Sequence, residues 1–324
     1  MRPTGKLHLG HLVGALQNWT SLQAQYDCFY FVADWHALTS DYADTSAVVA
    51  NAYDMAADWI AAGLDPERST LFVQSLVPEH AELYLLLSMT IPTPWLERVP
   101  TYKEQIEQLT DKDLSNLGFL GYPLLQTADV AMYDASFVPV GEDQVPHLEL
   151  SREVVRRFNT LYGAGAPVLV EAQPLLTPTP RLPGLDNRKM SKSYGNTIDL
   201  SDDEASVIKK VRQMYTDPKR VRADIPGTVE GNPVFMYHDA FNPDTAEVED
   251  LKARYRAGTV GDVEVKTKLA KAMNAALAPM RERRREIMEK PDRVKEILVE
   301  GSRKARGIAQ GTMERVREAV KLRY

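Results

Sequence analysis

The sequence predicts an α/β fold with a parallel sheet in its first half and a helical region in its second half. Two apolar runs of strand length, 28–34 and 70–74, flank a stretch from Thr45 to Leu64 with apolar residues at helical spacing. A strand, a helix and a second strand in this order form a right-handed crossover between parallel strands. Beyond about residue 200 the apolar residues recur at helical spacing only.

The remaining elements follow from local signals. The first long helix is predicted to end at Gly63, before Asp65-Pro66. A further helix at about 145–162 and a strand at 167–171 come next, and a passage with four prolines at 174–183 predicts a hinge between domains. Four more helices are expected after the hinge, at 203–215, 245–255, 263–288 and 292–322.

Composition excludes several classes of protein. The chain has 324 residues, 44% hydrophobic and 26% charged, which is typical of globular proteins and long enough for two domains. It contains no apolar run of the roughly 18 to 20 residues that a membrane span needs, so we expect no membrane association and a cytoplasmic location. The single cysteine, Cys28, excludes an internal disulfide and a metal site built from thiolates.

Charge is divided unequally along the chain. Residues 1–180 hold 9 Lys and Arg against 22 Asp and Glu, whereas residues 181–324 hold 30 against 23. The net charges of the two parts are therefore −13 and +7. A basic half on an acidic protein indicates either a polyanionic partner for that half or simply solvated cationic helices.

Two short motifs carry chemistry. The first is Pro3-Thr-Gly-Lys-Leu-His-Leu-Gly-His11, where two imidazoles and Gly10 lie at a predicted helix start, a place suited to phosphate. The two histidines could instead bind a metal, although no carboxylate or thiol nearby completes such a site. The second is Arg188-Lys-Met-Ser-Lys-Ser-Tyr-Gly-Asn196, whose two lysines suit a triphosphate, or form a solvated basic loop.

Together the two motifs resemble the paired signatures of class I aminoacyl-tRNA synthetases, and the sequence is similar to the bacterial-type tryptophanyl family. The likeness extends through 33–37, 121–129, 138–149 and 215–218. It implies a Rossmann-type catalytic domain with a parallel sheet at 1–183, a mobile lysine loop at 184–200 and a helical anticodon-binding domain at 201–324. The implied reaction activates L-tryptophan with ATP and transfers it to the 3′ end of tRNA(Trp).

The resemblance implies a tryptophan pocket. Asp129 would accept the indole N–H, which is the only hydrogen bond that the tryptophan side chain makes. Phenylalanine would leave this carboxylate unpaired, and such sites reject the analogue by roughly 10⁴-fold. Tyr122 and Gln144 would hold the ammonium group, and His36 and Gln126 would line the pocket. Tyr122 or Gln126 could also be simply a packed side chain.

The resemblance also implies an ATP site. His8 and His11 would donate hydrogen bonds to phosphate, and Lys189 and Lys192 would stabilise charge on the departing pyrophosphate. Lys103 would reach the phosphates from a mobile loop, although by itself it reads as a surface lysine. Gly141, Glu142 and Asp143 would contact the ribose, and the backbone of Leu182 and Met190 the adenine. The remaining implied ATP contacts are Arg2, Pro3, Thr4, Gly10, Ser191 and Ser193.

The implied partners are tRNA(Trp) and a second copy of the chain. The family forms homodimers, and we expect the interface at about 85–135. The basic clusters at 281–285 and 303–306 could contact RNA phosphates or pair with acidic residues on the helix faces. ATP enters with Mg²⁺ as a substrate, and no protein-bound metal is expected. Some relatives hold an iron–sulfur cluster, but 254–268 lacks cysteine.

One departure from the family lies at the start of the chain. Met1 stands where family members continue upstream with a strand and a Ser-Gly pair, which predicts a misassigned start or a truncated chain. Three other functions are compatible with parts of the sequence: a tyrosine-specific synthetase, a synthetase-like protein that only binds RNA or tryptophan, and a small-molecule nucleotidyltransferase. The intact lysines argue against the binding-only protein, and the lysine loop together with the basic helical half argues against the nucleotidyltransferase.

Overall fold

The structure, a computed structural model, describes residues 1–100, 102–103, 113–176 and 182–324. The predicted dimer segment and the predicted hinge each lie partly outside these residues. So do the side chains of Asp143 and Ser193, two of the predicted ATP contacts.

The first parallel strand pair confirms the predicted crossover. The chain enters through α1 (Leu9–His11), a π-helical turn (Leu12–Leu16) and α2 (Gln17–Leu22). Strand β1 (Cys28–Val32) then leads through α3 (Asp34–Asp41) and α4 (Val48–Ala62) to β2 (Ser69–Val73), which lies parallel to it with Cys28 opposite Ser69. Gly63 caps α4 with a φ of 114°, a conformation that glycine adopts at low cost.

A second parallel pair lies further along the chain. After β2 come a 3₁₀ turn (Gln74–Leu76), α5 (Glu79–Ser88), α6 (Thr93–Glu97) and α7 (Leu117–Ala131). Strand β3 (Phe137–Val140) is followed by a 3₁₀ turn (Glu142–Gln144) and α8 (Val145–Tyr162), and it pairs with β4 (Gln173–Leu176). The α/β class with parallel strands is therefore confirmed.

The predicted strand at 167–171 is wrong, because the strand lies at Gln173–Leu176. The apolar run before it is held by a side chain rather than by a neighbouring strand. Asn159 Oδ1 accepts from the backbone N–H groups of Val168 and Leu169, and Asn159 Nδ2 donates to Leu169 O. Leu169 is buried, so its apolar character reflects core packing and not strand pairing.

The second half of the chain is helical, as predicted. Its elements are a 3₁₀ turn (Lys192–Tyr194), α9 (Glu204–Arg212), α10 (Pro233–Phe241), α11 (Thr245–Ala257), α12 (Asp262–Met288) and α13 (Pro291–Ala319). Only α10 among these helices was not individually predicted. In the part of the chain that the structure describes, no helix is both long enough and apolar enough to cross a bilayer.

Helix α13 packs back on the first strand pair. Ser302 Oγ accepts a hydrogen bond of 3.1 Å from the backbone N–H of Val73, at the end of β2. Gly301 lies directly against the Leu71 backbone, at a distance that leaves no space for a side chain. The last helix therefore covers β2, close to the point where β2 delivers residues to the site described below.

Candidate active site

The two motifs meet through backbone pairing. His8 forms an antiparallel bridge with Asp199, and the N–H of Leu9 donates to Ile198 O at 3.0 Å. The N–H of Leu200 in turn donates to Leu7 O at 2.8 Å. Because 198–200 is the end of the lysine loop, this pairing places the loop beside the histidines, about 180 residues away in the sequence.

His8 and His11 form a compact pair with a defined proton arrangement. Their ring centroids are 3.9 Å apart, and His11 Nδ1 accepts from the backbone N–H of His8 at 3.1 Å. Burial, and then the charge of Lys192, lowers the pKa of His8 to about 4, and burial followed by His8 lowers the pKa of His11 to about 3. Both rings are therefore neutral near pH 7, and His11 keeps its proton on Nε2 as a donor.

Gly10 and Lys192 lie at the contact between the motifs. A Cβ on Gly10 would lie 3.0 Å from both the His8 ring and Met190 Sδ, so only glycine fits here without displacing one of them. Lys192 Nζ donates to Thr4 O at 3.3 Å, over the loop that contains Pro3. Burial lowers the pKa of Lys192 from its ordinary value.

Asn196 holds the lysine loop in shape, and no role was predicted for it. Its Nδ2 donates to Asp186 Oδ1 at 2.7 Å and to Lys189 O at 3.1 Å, and its Oδ1 accepts from the N–H of Ser191 at 2.9 Å. The side chain is buried against Gly184, where a Cβ would collide with it. The signal was present in the sequence, since asparagine commonly bonds nearby backbone groups in loops.

The other predicted ATP contacts fall around this junction or outside it. Lys189 is exposed, and its backbone forms an antiparallel β-bridge with Pro183, next to the buried Leu182. Gly141 and Glu142 follow β3, and Gly141 O accepts from the N–H of Gln144. Lys103 is exposed, and its neighbour Tyr102 stacks on Phe119. No contact between Lys103 and the histidines is among those described, and its role stays a prediction.

The five residues predicted to bind tryptophan line one cavity. The cavity has a volume of about 410 Å³. The five residues are His36, Tyr122, Gln126, Asp129 and Gln144, and the predicted ATP contact Arg2 also lines the cavity. Phe31, Phe119 and His147 add aromatic surface to its wall. Tyr122 stands between two of these rings, with centroid distances of 5.4 Å to Phe119 and 5.8 Å to His147.

Asp129 is buried and held by three side chains. His36 Nε2 contacts Oδ2 at 2.7 Å, and Oδ1 receives Gln74 Nε2 at 2.7 Å and His80 Nδ1 at 2.6 Å. Burial by itself raises the pKa of this carboxyl, but His36 and His80 outweigh it and hold the pKa well below its usual range. Asp129 is therefore a carboxylate near pH 7, and a carboxylate only accepts hydrogen bonds.

Sequence reasoning missed two of these partners. Gln74 lies at the carboxyl end of β2, where parallel sheets commonly place binding residues, so its position was a usable signal. His80 lies in the first turn of α5, 49 residues from Asp129, and no local pattern marks it.

The arginine clusters mostly face acidic residues of this same chain. Arg284 contacts Asp58 at 2.6 Å and also Asp54, and Arg285 pairs with Glu282. Arg306 contacts Glu79 on α5 at 2.9 Å. These contacts favour the acidic partners over RNA for the arginines concerned.

Comparison with known proteins gives consistent results. A family model described as class I tRNA synthetases (W and Y) matches residues 1–278. The chain is 50% identical to the tryptophan–tRNA ligase of Thermotoga maritima, over 100% of this chain and 98% of that protein. The tryptophan–tRNA ligase of Ralstonia nicotianae is 44% identical, with the same coverage of both chains.

Solved synthetase structures have a similar fold. The chain superposes on a tryptophanyl-tRNA synthetase from Campylobacter jejuni, complexed with ADP and tryptophan, with a TM-score of 0.88. The sequence identity is 32%, and the match covers 99% of this chain and 98% of that chain. A tyrosyl-tRNA synthetase from Archaeoglobus fulgidus, 24% identical with a TM-score of 0.66, shares the fold.

Proposed function

This chain belongs to the class I tRNA synthetases, among the tryptophan–tRNA ligases, and we propose that its buried Asp129 carboxylate is what selects tryptophan. The enzyme activates L-tryptophan with ATP and transfers it to tRNA(Trp). The observation that carries the specificity is an ionised carboxylate at the wall of an aromatic cavity. Three donors reach Asp129, and a carboxylate offers about four acceptor positions, so one remains for the indole N–H.

Rejection of phenylalanine follows from the same contact. Phenylalanine brings no donor and leaves the acceptor unpaired in a buried place, and such sites reject the analogue by roughly 10⁴-fold. Tyr122 and Gln144 line the same cavity and are proposed to bind the ammonium group, so that the tryptophan carboxylate points towards the two motifs.

Activation is an in-line attack. A tryptophan carboxylate oxygen forms a bond to the α-phosphorus of ATP, while the bond from that phosphorus to the bridging oxygen breaks and pyrophosphate leaves with the electron pair. His8 and His11, as neutral donors, bond phosphate oxygens. Lys189 and Lys192 stabilise the charge that develops on the leaving pyrophosphate. These roles are supported by the pairing of Leu7–Leu9 with 198–200, which unites histidines and lysines.

The nucleoside is proposed to lie between the two loops. Gly10 permits close approach beside His8 and Met190, and Gly141 and Glu142 are placed for the ribose at the end of β3. Leu182 and Met190 flank the adenine with their backbone. ATP arrives with Mg²⁺ as the substrate complex.

Transfer to tRNA completes the reaction. The 2′-hydroxyl of the terminal adenosine attacks the carbonyl carbon of the adenylate, and AMP leaves. The domain division at 183 and 200, the anticodon-binding role of 201–324, the cytoplasmic location and the homodimer are part of this proposal. Exposed apolar side chains within 85–135 support the dimer.

The test is ATP–pyrophosphate exchange that depends on an amino acid, run with tryptophan, tyrosine and phenylalanine on one preparation. Exchange with tryptophan alone is expected, since only tryptophan presents a donor to Asp129 at the indole position. Exchange with tyrosine would overturn the pocket assignment, and exchange with none of the three would contradict the activation step.

A further inference from the structure

His80 is a fully buried histidine that the proposed reaction does not use. Its exposed fraction is 0%, and it lies in the first turn of α5. His80 Nδ1 contacts Asp129 Oδ1 at 2.6 Å, and His80 Nε2 contacts the hydroxyl of Tyr133 at 2.7 Å. Tyr133, His80 and Asp129 thus form a continuous chain of hydrogen bonds that ends at the proposed tryptophan acceptor.

The ionised form of Asp129 fixes the direction of the first bond. A carboxylate only accepts, so His80 Nδ1 carries a proton and donates it. His80 Nε2 and the Tyr133 hydroxyl share the second bond. Burial, and then the negative charge of Asp129, raises the pKa of Tyr133 well above its ordinary value, which keeps the hydroxyl protonated.

The surroundings hold this chain in place. The rings of Phe31 and Phe72 lie with centroids 6.1 Å from that of His80, and Phe29 stacks on Tyr133 at 4.9 Å. A polar group among aromatic rings is costly to leave unpaired, so neither ring rotates without loss of its hydrogen bond. His80, which does not line the cavity, therefore fixes the position of Asp129 Oδ1. Asp129 Oδ2 contacts His36, which lines the cavity.

We propose that His80 and Tyr133 are positioning residues that set the selectivity of the pocket for an amino acid with an aromatic N–H donor, acting through Asp129. This inference rests on the proposed function. Neither residue lines the cavity, so neither contacts the substrate. Their effect is on the orientation of the acceptor and on its ionised form.

The test compares kcat/KM in pyrophosphate exchange for tryptophan and for 3-(benzothiophen-3-yl)-L-alanine, in which sulfur replaces the indole N–H. Tyr133→Phe keeps the stacked ring and removes only the hydroxyl. We expect it to lower the ratio of the two values by a factor of about 3 to 10. His80→Leu should lower the ratio further. His80→Asn, whose amide can still donate to Asp129, should give a ratio between those of wild type and His80→Leu.

Two controls separate selectivity from folding. Tyr30→Phe also removes a buried tyrosine hydroxyl, one that donates to Trp19 O at 3.2 Å, and it should leave the ratio unchanged. In an Asp129→Asn background, Tyr133→Phe should have no further effect on the ratio, because the two residues act through one contact.

Equal losses on both substrates, with the ratio within about twofold of wild type in Tyr133→Phe and His80→Asn, would overturn the inference and leave the proposed function standing. A wild-type enzyme that does not distinguish the two substrates would contradict the role of Asp129 and overturn both.

Discussion

Lys192 is the one side chain of the lysine loop with a described hydrogen bond to the loop before the histidines, through Thr4 O. In the proposed reaction it stabilises charge that develops only as pyrophosphate leaves. Lys192→Ala should therefore lower kcat of exchange by about 10²- to 10³-fold and leave KM for tryptophan nearly unchanged. Lys209→Ala, an exposed lysine on α9, is the matched control. An effect of Lys192→Ala confined to KM would contradict this role.

The low pKa values of the two histidines predict how kcat/KM for ATP depends on pH. Their pKa values, about 4 and about 3, lie below the ordinary value near 6.5, so the folded protein takes up these protons only in strong acid. Between pH 6 and 8 both stay neutral donors, and a pH profile of kcat/KM for ATP should show no acid limb from them. A limb near pH 6.5 that His8→Asn removes would show that His8 titrates at its ordinary value.

Unfolded chains should bind these protons first, near pH 6.5. Acidification from pH 7 towards pH 4 therefore lowers the free energy of unfolding through His8 and His11, and the loss is complete once the pH passes the folded values.

At the residue scale, the sequence predicted the groups that lie in short motifs. His8, His11 and Lys192 are marked by local spacing, and the structure brings them together. Gln74 is marked only by its place at the end of β2, and its contact with Asp129 spans 55 residues. His80 could not be found in this way, because its contact with Asp129 joins positions 49 residues apart and depends on how α5 and α7 pack, which no local pattern specifies.

At the element scale, the close packing of α13 on β2 is a distinctive feature. A methyl group on Gly301 would collide with the Leu71 carbonyl oxygen, so Gly301→Ala forces the helix away from the strand. We expect a loss of about 2 to 3 kcal/mol in the free energy of unfolding, measured by urea denaturation.

Gly311→Ala on the same helix is the control. A Cβ at Gly311 has no heavy atom within 4 Å, so the substitution should stabilise the helix by about 0.5 to 1 kcal/mol. If both variants had the stability of wild type, the packing of α13 on β2 would be contradicted.

The sequence predicted long helices well and short strands poorly. The helices predicted at 145–162 and 263–288 agree with α8 and α12 to within one residue at each end, because several turns repeat the same apolar spacing. Strand β4 was misplaced, because a run of five residues carries no such repetition. The apolar run at 167–171, where the strand was predicted, is instead held by hydrogen bonds to Asn159. Pro174 also counted against a strand, although β4 pairs on one side with β3 and tolerates it there.

At the scale of the whole molecule, the charge asymmetry has an internal use. Arginines of the basic half contact acidic residues of the acidic half: Arg284 with Asp58, Arg306 with Glu79, Arg315 with Asp134 and Arg317 with Glu82. Glu79 and Glu82 flank His80 in α5, so α13 also braces the element that positions Asp129. Charge counting could not reveal this, since it depends on which faces meet.

The proposed homodimer would cover exposed apolar side chains. Within the predicted interface segment, Leu85, Met89 and Leu117 have exposed fractions of 52%, 71% and 77%. We expect wild type to sediment at about twice 36.4 kDa, and the double variant Met89→Asp with Leu117→Asp to shift towards the monomer. Val263→Asp, at an exposed apolar position on α12, should stay dimeric. A monomeric wild type would contradict the proposal.

Aminoacylation, with labelled tryptophan or tyrosine and transcripts of tRNA(Trp) or tRNA(Tyr), tests the proposed function directly. Tryptophan should be attached to tRNA(Trp), and Asp129→Asn should lower kcat/KM for tryptophan by at least about 100-fold. Attachment of tyrosine, or no charging of tRNA(Trp) by a preparation active in exchange, would contradict the proposed function.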